Sequence, residues 1–263
     1  MLIALCSDKG SPGTTTTALA LASAWSAPAA VVEADPYGGD LPLRVRTQGR
    51  EVLPETPTGL TLAAAARSTT GTELLERFTH RINDQLAVVP APLMAEQTAG
   101  VADWESLATR LTDADTPLFV DVGRLHASSP VLALAAAADV VLPVARAETE
   151  SMIRLRERAG CLVPALASHR EAPPRLFPVI VGLERHRDGD LRDLRMLLED
   201  TSAGPLVAGV GHIAYDLTGV GHLLAGQPPT GRLARSKLMR SARRTVGELA
   251  AALFASRQSE AVT

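Results

Sequence analysis

The chain is predicted to be an α/β protein built on a doubly wound, mainly parallel β-sheet flanked by helices. Short apolar runs recur along the 263 residues, helical stretches separate them, and the runs are nearly continuous rather than alternating in polarity. Strands covered by helices on both faces read that way, because neither face meets water. At 46% hydrophobic residues the chain can bury a sizeable core. No internal repeat and no long linker divides it, so residues 1–263 are expected to form one domain.

The expected strands are Leu2–Cys6, Ala30–Ala34, Leu86–Pro90, Leu118–Val122, Val140–Ala145, Phe177–Leu183 and Leu206–Val210. A first helix is expected over Ala18–Trp25, which is rich in strong helix formers. Further helices are expected at Thr72–Ile82, Ala102–Leu111, Pro130–Ala138, Ser151–Ala159, Leu191–Glu199 and Leu233–Phe254. The Pro/Gly clusters at Pro54–Gly59 and Gly226–Gly231 read as surface loops.

Between the first strand and the first helix lies Asp8-Lys9-Gly10-Ser11-Pro12-Gly13-Thr14-Thr15-Thr16. Of 26 Lys and Arg residues only Lys9 and Lys237 are lysine, so the lysine in this loop stands out. Glycines let a backbone wrap a phosphate with its N–H groups, and a following helix aims its positive dipole end at the same anion. The ordinary phosphate loop also places a lysine after its last glycine, then a hydroxyl that holds magnesium. Here Gly13 is the last glycine, Thr14 occupies the lysine position, Thr15 keeps the hydroxyl, and Asp8 stands where the first glycine belongs. In most chains a Gly/Ser/Pro/Thr stretch is only a turn, so other segments must decide. In a doubly wound sheet the ligand lies beyond the carboxyl ends of the strands. Asp35 follows Val31-Val32-Glu33-Ala34 and Asp121 follows Leu118-Phe119-Val120, which makes both candidates for the same edge. Either could simply cap a loop; together with the loop they favour a ligand site.

In this order the loop, Glu33-Ala34-Asp35-Pro36-Tyr37-Gly38-Gly39-Asp40-Leu41, Phe119-Val120-Asp121 and Ala138-Asp139-Val140-Val141-Leu142-Pro143-Val144 resemble the MinD/ParA superfamily of deviant Walker A P-loop ATPases. The Asp35–Leu41 stretch resembles the CpaE/TadZ branch, and Ile213-Ala214-Tyr215-Asp216 with Leu224-Ala225-Gly226-Gln227-Pro228 resembles the family's end. The resemblance implies a P-loop NTPase-like fold, ATP or ADP with magnesium, and a homodimer. It places Lys9 on the partner's phosphate in trans, and Lys9, Gly10, Ser11, Pro12, Gly13, Thr14, Thr15 and Thr16 around the nucleotide. Asp35 would lie near the attacking water, and Thr15 and Asp121 would hold magnesium. It further implies a spatial-organisation or assembly protein that places a pilus or secretion machine. The branch's receiver-like N-terminal domain is expected to be absent, since the first strand begins at Leu2.

Three departures lower the expected activity. Thr14 brings no charge to the phosphates, Ser11 replaces a glycine, and Gly182-Leu183 follows Val179-Ile180-Val181 where the family places an adenine-reading Asn. Losing one cation from a phosphoryl-transfer site can cost several kcal/mol, roughly thousands-fold in rate. Weak nucleotide binding and weak or absent hydrolysis are therefore expected. The alternatives are a slow working ATPase in chromosome or plasmid partitioning or septum placement, with Arg124 or Arg146 replacing the missing lysine, and a nucleotide-independent scaffold.

The remaining features are read more plainly. A net charge of −3 gives no general attraction to nucleic acid or anionic lipid, and His169, Arg170, Arg185, His186 and Arg187 read as solvated rather than as a DNA surface. Cys6 and Cys161 lack disulfide or metal spacing and are expected to be buried thiols; the six histidines show no metal spacing either. Leu238, Ala242, Val246, Leu249 and Leu253 share one face of the last helix, with arginines elsewhere; docking on the sheet is favoured over membrane contact. With no basic leader before Met-Leu-Ile-Ala and no membrane-length apolar run, a cytoplasmic location is expected, peripheral at a membrane or pole only through a partner.

Overall fold

The computed structural model describes residues 1–101, 103–170 and 172–260. The chain opens with β1 (Leu2–Ser7), α1 (Thr14–Ala24), β2 (Ala29–Glu33), α2 (Leu41–Arg44), α3 (Gly59–Ala65) and α4 (Gly71–Phe78). It continues through β3 (His80–Arg81), β4 (Leu86–Val89), α5 (Ala95–Thr98), α6 (Trp104–Thr112), β5 (Leu118–Arg124), α7 (Leu132–Ala137) and β6 (Val140–Arg146). The last third holds α8 (Thr149–Ala167), β7 (Arg175–Leu176), β8 (Val179–Gly182), α9 (Arg187–Glu199), β9 (Gly211–Ala214), α10 (Leu217–Leu224), α11 (Gly231–Arg235) and α12 (Lys237–Glu260).

The strands form one sheet in the order β3-β4-β2-β5-β1-β6-β8-β9, with β7 alongside β6. All pairings between these strands are parallel except β3–β4. The chain runs outward from β1 to β2, returns to insert β5 between them, and then crosses to β6 on the far side of β1. That reversal puts the carboxyl ends of β1, β2 and β5 around one crevice, where doubly wound sheets bind ligands.

Successive residues of β1 serve two cores. Leu2, Ala4 and Cys6 join the core beneath α3, α4 and α6–α9, whereas Ile3 and Leu5 join the core beneath α1, α10, α11 and α12. A strand buried on both faces has no polar alternation to show, which is why the strands read as continuous apolar runs.

Several boundaries differ from the sequence expectation. The helix expected over Thr72–Ile82 ends at Phe78, because Thr79 turns extended and His80–Arg81 pair antiparallel with β4. The Phe177–Leu183 run splits, with only Val179–Gly182 forming β8. Leu206–Val210 is not a strand: the last strand is β9, whose Gly211 and His212 pair with Val179 and Ile180 of β8. A buried histidine inside that strand hides it from an apolar-run search. The expected Leu233–Phe254 helix is broken at Ser236, whose Oγ accepts a hydrogen bond from Met239 N at 3.1 Å and so caps α12. α8 runs well past Ala159, and the expected helix start at Ala102 lies outside the described residues, with α6 beginning at Trp104.

Helix α12 lies on the second core, with Leu238, Ala242 and Leu249 buried and Val246 and Leu253 packed against them. Two of its arginines are held locally: Arg243 donates to Ala234 O and Pro229 O, and Arg244 to Glu184. Cys6 is buried in β1, but Cys161 is exposed on α8, contrary to expectation. No described helix is long and apolar enough to cross a membrane.

Candidate functional site

The loop after β1 bends through two left-handed glycines, Gly10 at φ 77° and Gly13 at φ 99°, and delivers the chain into α1 at Thr14. No side chain caps α1. The first-turn amides of Thr14, Thr15 and Thr16 have no acceptor within the helix, so they face the crevice as donors for an anion. Across the loop, Asp121 on β5 accepts a 2.5 Å hydrogen bond from Thr15 Oγ1. Two chain segments far apart in sequence thus converge where a phosphate-bound divalent cation would sit.

A cavity of about 570 Å³ opens over this point. Its floor is the Gly10–Thr16 loop, and its walls carry Glu33, Asp35, Asp121, Arg44 and Arg124. The structure therefore brings together all the sequence-predicted loop residues from Gly10 to Thr16 with Asp35 and Asp121. Lys9 is not among them. It is exposed and faces a second hollow of about 270 Å³ on the other side of the loop, with Arg146, Arg154 and Arg158. Arg146 donates to Ser11 O at 3.3 Å from that side. Of the two arginines considered as substitutes for the missing lysine, only Arg124 borders the larger cavity.

Asp8, at the position of the pattern's first glycine, has a structural partner: Arg158 Nε on α8 donates to its carboxylate at 2.6 Å. The pair ties the start of the loop to α8. Asp35 lies against Gly123, where a Cβ would sit 2.1 Å from its Oδ2, and it accepts Tyr37 N at 2.9 Å. Burial raises the Asp35 carboxyl above the usual range, against the pull of the Tyr37 amide and Arg124. Burial likewise pushes Asp121 up to about 6, opposed by Thr15 and the Gly123 amide.

Two residues of this site escaped the sequence reading. Glu33 is buried at the end of β2, in register with Asp121 on β5. Its carboxylate accepts Asp40 N at 3.1 Å, Leu41 N at 3.4 Å and Ala91 N at 3.1 Å, fastening the segment that leads into α2. Burial first, and Asp121 second, push it up to about 8 despite these donors. The signal was present: an acid inside an otherwise apolar strand requires buried donors. Arg44 ends α2 and donates to Thr16 Oγ1 at 3.2 Å. Nothing in its local sequence points to the loop, since the contact spans 28 residues.

At the far side of the sheet, Gly182 ends β8. A Cβ there would meet Ala147 Cβ at 2.6 Å and Asp190 Oδ2 at 3.2 Å, so the neighbouring side chains leave no room for one without a shift of Ala147. Among the described residues no group of three His, Cys, Asp or Glu is placed to hold a metal ion. Thr15 and Asp121 nevertheless fit the partial coordination that magnesium takes when phosphate oxygens and water complete its shell.

This architecture is shared with solved structures. A ParA family ATPase from Chlorobium tepidum TLS superposes with a TM-score of 0.70 at 17% identity, over 94% of this chain and 98% of that one. The septum site-determining protein MinD from Pyrococcus horikoshii OT3, complexed with Mg-ADP, gives 0.65 at 14% identity, over 94% and 95% of the two chains. A Cyanothece McdA variant in complex with ATP gives 0.62 at 17% identity, over 94% and 95%. No protein-family model and no curated protein sequence matches the chain. The fold is that of the ParA and MinD ATPases, a mostly parallel sheet flanked by helices with a P-loop after its first strand.

Proposed function

We propose that this chain is a MinD/ParA-like protein of the CpaE/TadZ kind, which binds ATP or ADP with magnesium weakly and hydrolyses ATP slowly or not at all. In this reading it acts as a homodimer that helps to place or assemble a cell-envelope machine such as a pilus or secretion apparatus. The observation that carries the nucleotide part is the meeting of Thr15 and Asp121 at the start of α1, inside a cavity large enough for a polyphosphate.

The residues then divide the work. The amides of the Gly10–Thr16 loop bind the phosphates, with Gly10 and Gly13 permitting the close approach. Thr15 and Asp121 would hold magnesium, which would neutralise phosphate charge. Asp35, beside Gly123 and open to the same cavity, orients water. Lys9, turned to the opposite mouth, is free to reach a second copy. Thr14 adds no charge, and Gly182 offers no side-chain amide to a base.

Calorimetry with Mg-ATP and Mg-ADP, beside a turnover assay, tests this reading. Weak binding that Asp121→Asn abolishes supports it. Robust turnover lost in Asp35→Ala would instead establish a working ATPase. The blocked position at Gly182 favours a second reading, the nucleotide-independent scaffold, and the absence of binding at millimolar Mg-ATP would establish that one.

A further inference from the structure

The cavity over the P-loop is rich in acid. Glu33, Asp35, Asp40 and Asp121 line it, against Arg44 and Arg124. A polyphosphate would need more positive charge than the loop amides give, and Thr14 has removed the usual source. The two arginines are placed differently. Arg124 follows Asp121 on β5, and its charge acts on Asp35, where it offsets part of the rise that burial gives that carboxyl. Arg44 comes from the end of α2, and its Nη2 hydrogen-bonds Thr16 Oγ1 in the first turn of α1. Its charge also reaches Asp121.

The backbone carrying Arg44 is fixed on both sides. Glu33 accepts the amides of Asp40 and Leu41 at the start of α2, and Leu41 is fully buried. Just beyond, Arg46 N donates to Leu224 O at the end of α10. A guanidinium held on such a short, anchored helix loses little freedom when it takes a phosphate. Its planar fork can also engage two phosphate oxygens at once.

We propose that Arg44 is the phosphate-binding cation of this cleft, supplying from α2 the charge that the P-loop lacks at Thr14. The ligand class is the di- or triphosphate of a nucleotide with its divalent cation, so the proposal rests on the nucleotide reading above. On binding, the guanidinium exchanges its hydrogen bond with Thr16 for phosphate oxygens, and Thr16 is released to the ligand.

Titration calorimetry with Mg-ATP and with magnesium tripolyphosphate, on the full chain, tests this. Arg44→Gln should weaken both about tenfold or more, since charge-assisted bonds to phosphate are lost for either ligand, and Arg124→Gln should weaken them less than about threefold. Arg44→Lys should restore part of the loss. Thr14→Lys should improve affinity more in the Arg44→Gln protein than in the unaltered one, because the two cations serve the same oxygens. Arg44 is exposed, so the thermal midpoint of Arg44→Gln should match that of the unaltered protein. Equal binding by Arg44→Gln and the unaltered protein, or an equal loss in Arg124→Gln, would overturn the assignment while leaving the nucleotide reading intact. If the unaltered protein binds neither ligand, both fall together.

Discussion

Arg158 in the middle of α8 grips the carboxylate of Asp8, the residue that stands at the head of the phosphate loop in place of a glycine. The loop is therefore held along its length: Asp8 by Arg158, Ser11 by Arg146, Thr15 by Asp121 and Thr16 by Arg44. A hinge that glycine would leave free is pinned here by a partly buried ion pair.

Breaking that pair should both destabilise the fold and loosen the loop. Arg158→Ala leaves Asp8 partly buried without its cation, and urea unfolding should show a loss of about 1–3 kcal/mol. Asp8→Gly removes both problems at once, so its loss should be smaller although it breaks the same contact. If Arg158→Ala is as stable as the parent, the pair is only a surface contact.

Thr14→Lys tests how far one residue disables the site. A cation added beside the loop amides should tighten Mg-ATP by about tenfold and promote dimers on addition of ATP, read by light scattering. Lys9→Ala in that background should weaken the dimer more than nucleotide binding, because Lys9 faces the opposite mouth from the Gly10–Thr16 cavity. Should Thr14→Lys alter neither quantity, the pinned loop shape, with Asp8 and Ser11, is the stronger obstacle.

Helix α12 is expected to be part of the folded core. Leu249→Ala, at a fully buried site, should cost about 2–5 kcal/mol in denaturant unfolding. A helix that merely rests on lipid would show no such loss, and its removal would instead change sedimentation with anionic vesicles.

Two buried groups should tie stability to pH with opposite signs. His212 is buried in β9 with neither ring nitrogen hydrogen-bonded, and burial lowers it to about 4 despite Glu184 at 3.8 Å. Arg187 and Arg244 lower it further, and Asp188 raises it slightly. The unfolded chain therefore binds more protons than the fold, and stability contributed by the neutral ring is lost as pH falls from about 6.5 toward 4. Glu33 has the reverse sign: the fold holds its proton more tightly, so its contribution declines as pH rises from 4.5 toward about 8. Asp121, raised to about 6, shares the sign of Glu33 and opposes His212 at acid pH, so the clear fall in urea midpoint is expected between about pH 6.5 and 8, and His212→Leu should change the profile below about 6.5 alone. An acid limb unchanged in that variant would mean that carboxylates, not His212, set it.

Much of the fold was legible because strands buried on both faces leave unbroken apolar runs, and Leu2–Cys6, Leu118–Val122 and Val140–Ala145 fell on real strands. At β9 the signal failed, because Gly211 and His212 leave only two apolar residues in a four-residue strand, and a short antiparallel edge strand, His80–Arg81, was lost inside an apparent helix. Arg44 and the Asp8–Arg158 pair were invisible for a different reason. Each joins residues far apart in the chain, and neither leaves a periodicity.

By itself the sequence determined that a Gly-rich turn enters α1 after β1, and that Asp35 comes just after one apolar strand and Asp121 toward the end of another. Parallel strands deliver their carboxyl ends to one edge, so those residues were bound to meet. Only the tertiary structure decided which mouth Lys9 faces, which cation approaches Thr16, and that Glu33 anchors α2. Those outcomes depend on how crossover connections bring α2, β5 and α8 around β1, a matter of three-dimensional packing rather than of local propensity.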